Sequence, residues 1–556
     1  MLLPTLSLLP LAFSALADAA PTQAQAKSPK VGLTPYAPVS TSCPSTPLVR
    51  PASGISSQEA SYVSARHAKA AGSTTSYIRK WGHHGSSSSS TKLPVIGFTS
   101  SGGGYRSLLT TAGVVEAFDN RESSSGVAGI YQSLTYQGGL SGGAWFLSSL
   151  AANNWPTITS LRDNLWGPAF QNSLLVPANL LSTSDDTIYA AVAADIAAKA
   201  AAGYNVTIVD PYGRLLSYQL LYGSDGGVRD TLSGLTGLSN FTEHNVPYPI
   251  MTTTIDFPAE GQCAPSITGP IFEFHPYEYG SWDQGVDAFA VTSYMGSKLS
   301  NGKPVSQSSC VANYDNIGYV FGTSSDVFNI ALGGVCFTPP TGSDNILEAF
   351  ETLVAAVETP SEDDLFALYE NPFYNYKSSS LVSNLTQLTL SDGGEAGQNN
   401  PIWPFIQPAR DVDVLIVNDN SADTDGNLPN GTEIYQTYLN AQQFGLKKMP
   451  YIPPVNTFVS EGLNERATFF GCNETDTVFI IYLPNVPYIY PSGTSTAMLE
   501  YTEAQTDGMI ANGVQIALQN GTAGWPECLA CGINTKSGAK PSSTCNACFK
   551  KYCYYH

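Results

Sequence analysis

Gly139-Leu140-Ser141-Gly142-Gly143 fits the pattern G-x-S-x-G. A pentapeptide of this kind does chemistry when it bends between a strand and a helix, because the turn lifts the serine hydroxyl above the sheet and the glycines let the backbone fold without a side-chain clash. Strand-like Ser133 to Tyr136 precedes it and helix-like Ala144 to Ala152 follows. Gly142 can then offer its N–H to a developing oxyanion. In a chain rich in Gly and Ser a plain glycine turn reads the same way, so the pattern alone does not decide. Upstream the arrangement recurs: strand-like Pro94 to Thr99, then Ser101-Gly102-Gly103-Gly104-Tyr105-Arg106, then the helical spacing of Leu108, Leu109, Ala112, Val115 and Ala117. Consecutive glycines at a helix start expose backbone donors, which suit either a phosphate or an oxyanion. Neither G-x-G-x-x-G nor G-x-x-x-x-G-K-[ST] is matched, which argues against a nucleotide. Arg106 adds a fixed positive charge, suited to a substrate phosphate or to a structural ion pair.

A serine nucleophile needs a base. The histidines are His67, His83, His84, His244, His275 and His556, so neither the order Ser, acid, His nor the order His, Asp, Ser has a histidine where it needs one. The base is expected to be a carboxylate, and His275 a packed loop residue. Asp392, in Leu390-Ser391-Asp392-Gly393-Gly394, follows the strand-like Leu388 to Leu390 at a glycine turn. Alone, Asp-Gly is an ordinary turn signal. A carboxylate base, with a reference pKa of ~3.9 against ~6.5 for histidine, is expected to sustain a substantial rate at pH about 5.

The elements that must hold these residues read as an α/β layer structure. Apolar or β-branched runs at Pro94 to Thr99, Ser133 to Tyr136, Pro249 to Ile255, Leu388 to Leu390, Val412 to Val417 and Val478 to Leu483 alternate with helical patterns. The clearest helix is Ser184 to Gly203, with Ser184 as N-cap, two aspartates in its first turn and an apolar edge of Ile188, Val192 and Ile196. That edge suits a helix packed on the core or a cover over an apolar site. Residues 21 to 42 read as an extended arm, and Gly85 to Thr91 as a flexible serine loop.

Composition narrows the setting. The chain has 556 residues, 42% hydrophobic and 13% charged, with a net charge of −20. A chain this apolar is not disordered, and this charge repels a phosphate backbone, so nucleic acid is excluded as a partner. Leu2 to Leu16 is an apolar run of signal-peptide length followed by small residues, giving an expected leader over 1–19, an arm over 20–42 and one domain from 43 to 556. N-x-[ST] occurs at Asn205, Asn240, Asn384, Asn430, Asn473 and Asn520. The ten cysteines suit disulfides. Cys528-x2-Cys531 and Cys545-x2-Cys548 also invite a zinc ribbon, but Cys553 follows at once and an oxidising compartment consumes thiolates. Ser421 to Thr432 superficially resembles a calcium loop, yet it places Ser421 and Thr432 where carboxylates are needed. No metal and no cofactor are expected. Nothing apolar follows Cys553, so no stable membrane anchor is expected and the mature protein should be secreted and extracellular.

Taken together and in order, Ser101-Gly-Gly-Gly-Tyr-Arg106, Gly139-Leu-Ser-Gly-Gly143 and Ser391-Asp-Gly-Gly-Glu395 with Gln398-Asn399 and Pro401 resemble the motifs of fungal lysophospholipases (phospholipase B), relatives of the cytosolic phospholipase A2 catalytic domain. The likeness extends through Pro276 to Asp283, Gly322-Thr-Ser-Ser325 with Phe328-Asn329, Ala409 to Asp413 and the cysteine-rich tail. Asp326 stands where such relatives carry a small residue. The resemblance implies a three-layer α/β/α fold of the patatin and cytosolic phospholipase A2 type, with a central mixed sheet and a cap. It implies Ser141 as nucleophile, Asp392 as its base, Gly103 and Gly104 as oxyanion donors beside Gly142, and Arg106 facing a lipid phosphate. It also implies lysophospholipid and phospholipid substrates in micelles or membranes. A serine esterase acting on neutral esters and a surface glycoprotein without turnover are the rival readings.

Overall fold

The structure, a computed structural model, describes residues 34–82, 92–171, 183–257, 264–331, 365–538 and 540–556. The expected leader, most of the arm, His83, His84, the serine loop, Cys263 and Cys336 lie outside the described residues.

Twelve strands form one mixed sheet: β1 (Val49–Pro51), β2 (Ile96–Ser100), β3 (Tyr136–Gly139), β4 (Tyr248–Asp256), β5 (Ile271–Phe274), β6 (Glu278–Ser281), β7 (Ala288–Val291), β8 (Ala367–Glu370), β9 (Gln387–Asp392), β10 (Val414–Asp419), β11 (Thr468–Phe470) and β12 (Phe479–Pro484). The principal flanking helices are α1 (Ser57–Trp81), α2 (Gly104–Phe118), α3 (Gly142–Ala152), α4 (Thr183–Ala201), α5 (Val209–Leu220), α6 (Ile317–Thr323), α7 (Thr432–Phe444), α8 (Glu503–Leu518), α9 (Trp525–Ile533) and α10 (Ser543–Tyr552). The strand order is β11-β12-β10-β2-β3-β4-β5-β6-β7-β1, with β9 paired to β4 and β8 to β9. From β12 to β4 the neighbours are parallel, and the remaining pairs are antiparallel. β2, β10 and β12 are buried at every position, as strands covered on both faces must be, which is why β10 and β12 read largely as continuous apolar runs.

β4 brings the site together. On the edge of β4 opposite β5, Tyr136 to Gly139 pair in parallel with Tyr248 to Met251, while Thr389 to Asp392 pair antiparallel with Asp256 to Thr253. β3 and β9 therefore run head to head along one edge, and the strand that leads to Ser141 meets the strand that ends in Asp392 across the level of Thr252. Arg66 of α1 fixes the approach, donating from Nε to the Leu134 carbonyl at 2.8 Å and from Nη1 to that of Asn245 at 2.8 Å, just before β3 and β4.

The strand expected at Ser133 to Tyr136 is displaced. Ile130–Ser133 is a helical turn, and the strand is Tyr136–Gly139, whose two glycines carry no strand signal. A Cβ on Gly138 would lie 2.7 Å from the Phe405 ring, so the bare backbone there is what lets Phe405 pack on the sheet. The expected helix at Ser184 to Gly203 is α4, with Val192 and Ile196 buried and Gly203 at φ +88° just beyond its end. It is bound to α5 by Lys199–Asp210 at 2.6 Å and Arg214–Asp195 at 3.0 Å.

Four disulfides are described: Cys43–Cys310, Cys472–Cys553, Cys528–Cys548 and Cys531–Cys545. Cysteines three apart share a helix face, and the nested pairing of α9 with α10 matches two antiparallel helices laid face to face. The thiolates a zinc ribbon would use are consumed in these two bonds, which removes that reading. No helix among the described residues is long and apolar enough to cross a membrane.

Candidate active site

β3 ends at Gly139 and α3 starts at Gly142, leaving Leu140 and Ser141 to make the turn. Ser141 adopts φ 52° and ψ −122°, a conformation that costs a non-glycine residue about 1–3 kcal/mol and persists only when its surroundings enforce it. The Ser141 N–H is held by Ser324, through the carbonyl at 3.0 Å and the hydroxyl at 3.1 Å, and the Ser324 hydroxyl donates in turn to the Thr252 carbonyl at 2.7 Å. The Trp145 N–H donates to the Ser141 carbonyl at 2.9 Å.

The Asp392 carboxyl faces the Ser141 side chain, closely enough for the serine hydroxyl to favour the ionised carboxylate. Asp392 Oδ1 also accepts the Gly394 N–H at 2.8 Å, and its own N–H donates to the Asp326 carbonyl at 2.9 Å. Ser141 is 7% exposed and Asp392 4%. Burial pushes Asp392 up to about 7, while the Gly394 N–H and the Ser141 hydroxyl pull it the other way. If Asp392 is the base, this shift places the expected lower pH limb of activity near neutrality rather than well below pH 5, and a pH profile of kcat/KM checks which holds.

The glycine loop after β2 lies against this pair. A Cβ on Gly102 would lie 2.9 Å from the Ser141 Cβ, and a Cβ on Gly142 would collide with the Gly104 carbonyl. Gly102 donates its N–H to the Asn399 carbonyl at 3.1 Å. The N–H groups of Gly103, Gly104 and Gly142 have no acceptor among the described residues. Two helix N-termini, of α2 and α3, thus present unspent donors and positive dipole ends beside the Ser141 hydroxyl.

Arg106 does not face an open cleft. It is buried, donating from Nε to the Asn420 carbonyl at 2.9 Å, from Nη1 to the Thr494 carbonyl and from Nη2 to Thr496 Oγ1 at 3.0 Å. No carboxylate lies within ion-pair distance among the described residues, and burial pulls its pKa down to about 10. The segment Thr494 to Thr496 therefore straps over the glycine loop, with the Thr496 carbonyl 3.0 Å from where a Gly104 Cβ would be.

A sequence model of the lysophospholipase catalytic domain matches residues 96–556. The chain belongs to that family. It is 38% identical to "Lysophospholipase 2" of Aspergillus fumigatus over 93% of each chain, and 37% identical to "Lysophospholipase" of Arthroderma benhamiae over 93% of this chain and 85% of that one. Among solved structures it superposes on human GIVD cytosolic phospholipase A2 with a TM-score of 0.67 at 15% identity, covering 90% of this chain and 72% of that one, which shows the fold. The expected α/β architecture with a mixed central sheet and flanking helices is the fold of this lysophospholipase family member.

Residues that the lysophospholipase motifs contain, but that single-residue reasoning gave no role, complete the site. Asn399 clasps Gly102: its carbonyl takes the Gly102 N–H, its Nδ2 donates to Ser421 Oγ at 2.8 Å, and its own N–H donates to Glu433 at 2.8 Å. Asn420 reaches Ser101 Oγ through its N–H at 2.7 Å. The sequence signal for Asn399 was its place after the Ser391 to Glu395 run and that for Ser324 and Asp326 their place in and beside the Gly322 to Ser325 motif, while Asn420, just past the end of β10, carried none. The loop of Ser421 to Thr432 is internally satisfied, with Asp423 accepting the Asn430 N–H at 3.0 Å.

Carboxyls crowd both flanks of the site. Burial raises Asp256 and Asp392 to about 7, Glu395 to about 10, Asp423 to about 7 and Glu433 to about 8, and Asp283, farther off beside Trp403, to about 7. Each of these groups is neutral more easily folded than unfolded, so the stability it contributes is fully present below about pH 4 and is lost as pH rises through about 7 to 8, or through about 10 for Glu395. The lysophospholipase is therefore expected to melt several degrees higher at pH 5 than at pH 8. Scanning calorimetry at constant ionic strength checks this, and a higher melting temperature at pH 8 would contradict the burial of these groups.

Proposed function

We propose that this chain is a secreted lysophospholipase of the phospholipase B type that cleaves fatty-acyl esters through a Ser141/Asp392 dyad and an acyl-enzyme. One observation carries the reading: the Ser141 side chain on its strained turn faces the buried Asp392 carboxyl, and unspent N–H groups from two helix N-termini lie close by. Ser141 Oγ attacks the acyl carbonyl as Asp392 takes its proton, and the N–H groups of Gly103, Gly104 and Gly142 hold the tetrahedral oxyanion. Asp392 returns the proton to the departing glycerol oxygen, leaving the acyl group on Ser141. Water then attacks the acyl-enzyme, giving its proton to Asp392, and the fatty acid leaves as Ser141 is reprotonated.

Lysophospholipids and phospholipids in micelles or membranes are the proposed substrates. Secretion rests on the apolar run at Leu2 to Leu16, and glycosylation on the sequons, of which Asn205, Asn384, Asn473 and Asn520 are exposed and Asn240 and Asn430 half-buried.

The covered Arg106 favours a second reading, a serine esterase on neutral esters. For the guanidinium to meet a lipid phosphate, Thr494 to Thr496 must give up its bonds to it. The two readings separate in one assay of fatty-acid release from lysophosphatidylcholine and from a neutral monoacylglycerol. On the phospholipid reading Arg106→Ala loses about 10- to 100-fold more kcat/KM on the charged substrate than on the neutral one, as a charge-assisted contact of about 1.5–3 kcal/mol requires. Equal losses on both substrates would favour the neutral esterase, and no release from either by wild type would end the proposal.

A further inference from the structure

The parallel strands end at one level: Pro484 of β12 stands beside Asp419 of β10, Asn418 beside Ser100 of β2, and Ser100 beside Gly139 of β3. The chain that leaves β12 therefore emerges at the end of the sheet that carries the glycine loop and Ser141. It reaches α8 by way of Thr494 to Thr496, which Arg106 holds over the glycine loop. From Val478 to Leu499 it has no charged residue, in a chain whose net charge is −20.

The outer surface of this connection is apolar and is fixed in place by the fold. Ile489 is 57% exposed, yet its N–H donates to Asn512 Oδ1 of α8 at 3.0 Å. Asn512 Nδ2 donates back to the Val486 carbonyl at 2.9 Å and to Ser492 Oγ at 3.0 Å, so one buried amide clamps both ends of the turn. Pro487 and Pro491, both exposed, bracket Tyr488-Ile489-Tyr490 and stiffen it. Tyr490 lies against α8, where a Cβ on Gly508 would come within 2.3 Å of its ring. Apolar residues scattered singly over a surface are ordinary; an uncharged Pro-Tyr-Ile-Tyr-Pro run pinned at the end of the sheet that bears the nucleophile is a patch.

The chemistry of the patch selects its partner. Half-buried tyrosines suit a boundary between lipid and water, because the ring is apolar and the hydroxyl is not. The same connection runs on into Glu500 and Glu503, both exposed, which repel an anionic surface. A phosphatidylcholine surface instead presents quaternary ammonium groups outermost, and both carboxylates and tyrosine faces attract these.

We propose that Pro487 to Pro491, bordered by Glu500 and Glu503, is the face on which this protein docks to zwitterionic phosphatidylcholine surfaces. The choice of a lipid rests on the lysophospholipase reading. Docked in this way, the glycine loop and Ser141 are brought to lipid that is still in its aggregate.

The test uses the full chain. Ser141→Ala, which leaves vesicles intact, is co-sedimented with phosphatidylcholine and with phosphatidylglycerol vesicles, alone and combined with Ile489→Asp or Ile489→Trp. The expected result is tighter binding to phosphatidylcholine, about tenfold weaker with Ile489→Asp and no weaker with Ile489→Trp. In the enzyme with Ser141 intact, Ile489→Asp is expected to lower kcat/KM on lysophosphatidylcholine micelles about tenfold. On a short-chain lysophosphatidylcholine below its micelle concentration the change should stay under about twofold, a split that a merely structural role would not produce. Equal losses on both forms of substrate, unchanged vesicle binding in Ile489→Asp, or tighter binding to phosphatidylglycerol would overturn the proposal. So would loss of a dimer in sedimentation velocity with vesicle binding intact, which would assign the face to a second copy of the chain. If Ile489→Asp does not fold, Ile489→Ser replaces it with the same expectations. No fatty-acid release by wild type from either form of substrate would remove the lysophospholipase reading, while the vesicle measurement still decides the docking face.

Discussion

Ser141→Ala and Asp392→Asn are each expected to lower kcat for fatty-acid release by about 10⁴-fold or more, and the double variant to be hardly worse than either. The non-additivity follows from the geometry. The Ser141 hydroxyl and the Asp392 carboxyl face each other, 7% and 4% exposed, and no histidine is bonded to either among the described residues. Without the hydroxyl there is no acyl-enzyme, and without the carboxylate the hydroxyl keeps its proton. Asp392→Asn preserves an acceptor for the Gly394 N–H, so its loss should fall on the chemical step and leave KM close to wild type. Burst kinetics with a chromogenic acyl ester separate acylation from deacylation. A profile in which Asp392→Asn retains more than about a tenth of wild-type kcat would assign the base elsewhere. His275 is not that alternative: it is buried, with Nδ1 2.6 Å from the Tyr248 hydroxyl and its pKa pushed down to about 3.

The site's components were legible in the sequence and their arrangement was not. Glycines at 102–104 and 139–143 declare themselves because few other residues tolerate such close backbone approach. The buried parallel strands β10 and β12 declare themselves through apolar runs at Val414 to Val417 and Phe479 to Leu483. By contrast, the antiparallel β5 to β7, with the Tyr279-Gly280 and Glu278 positions inside, have no clean alternation, and β3 was hidden by its own glycines. The decisive fact, that β3 and β9 meet end to end along β4, is a matter of register between residues about 250 positions apart, and no local pattern encodes register at that range. The raised ionisation of Asp392 was missed for the same reason. It depends on burial, and only the fold shows how little water reaches the carboxyl at the end of β9.

Gly103→Ala is expected to lower kcat by about 10²–10³-fold with KM changed by less than about threefold, as loss of one oxyanion donor does. Gly103 sits at φ 132°, where an L-residue is strained, and a Cβ there would lie 2.6 Å from Arg106 Nη2 and 2.9 Å from the Asn420 carbonyl. Alanine must therefore rotate the peptide, and the N–H turns away from the serine. At Gly104 the backbone, φ 56°, is one that alanine tolerates better, and the nearest atom is the Thr496 carbonyl at 3.0 Å. Gly104→Ala should accordingly do less harm to kcat. Gly129→Ala is the control for strain alone, because Gly129 has φ 96° with no atom within 4 Å of the added carbon. It should lower stability by about 1 kcal/mol and leave kcat unchanged. The split between kcat and KM then separates the two uses of a glycine loop at a helix start. If Gly103→Ala raises KM for lysophosphatidylcholine and spares kcat, the loop holds the ground-state phosphate; if kcat alone falls, its donors act on charge that exists only in the transition state.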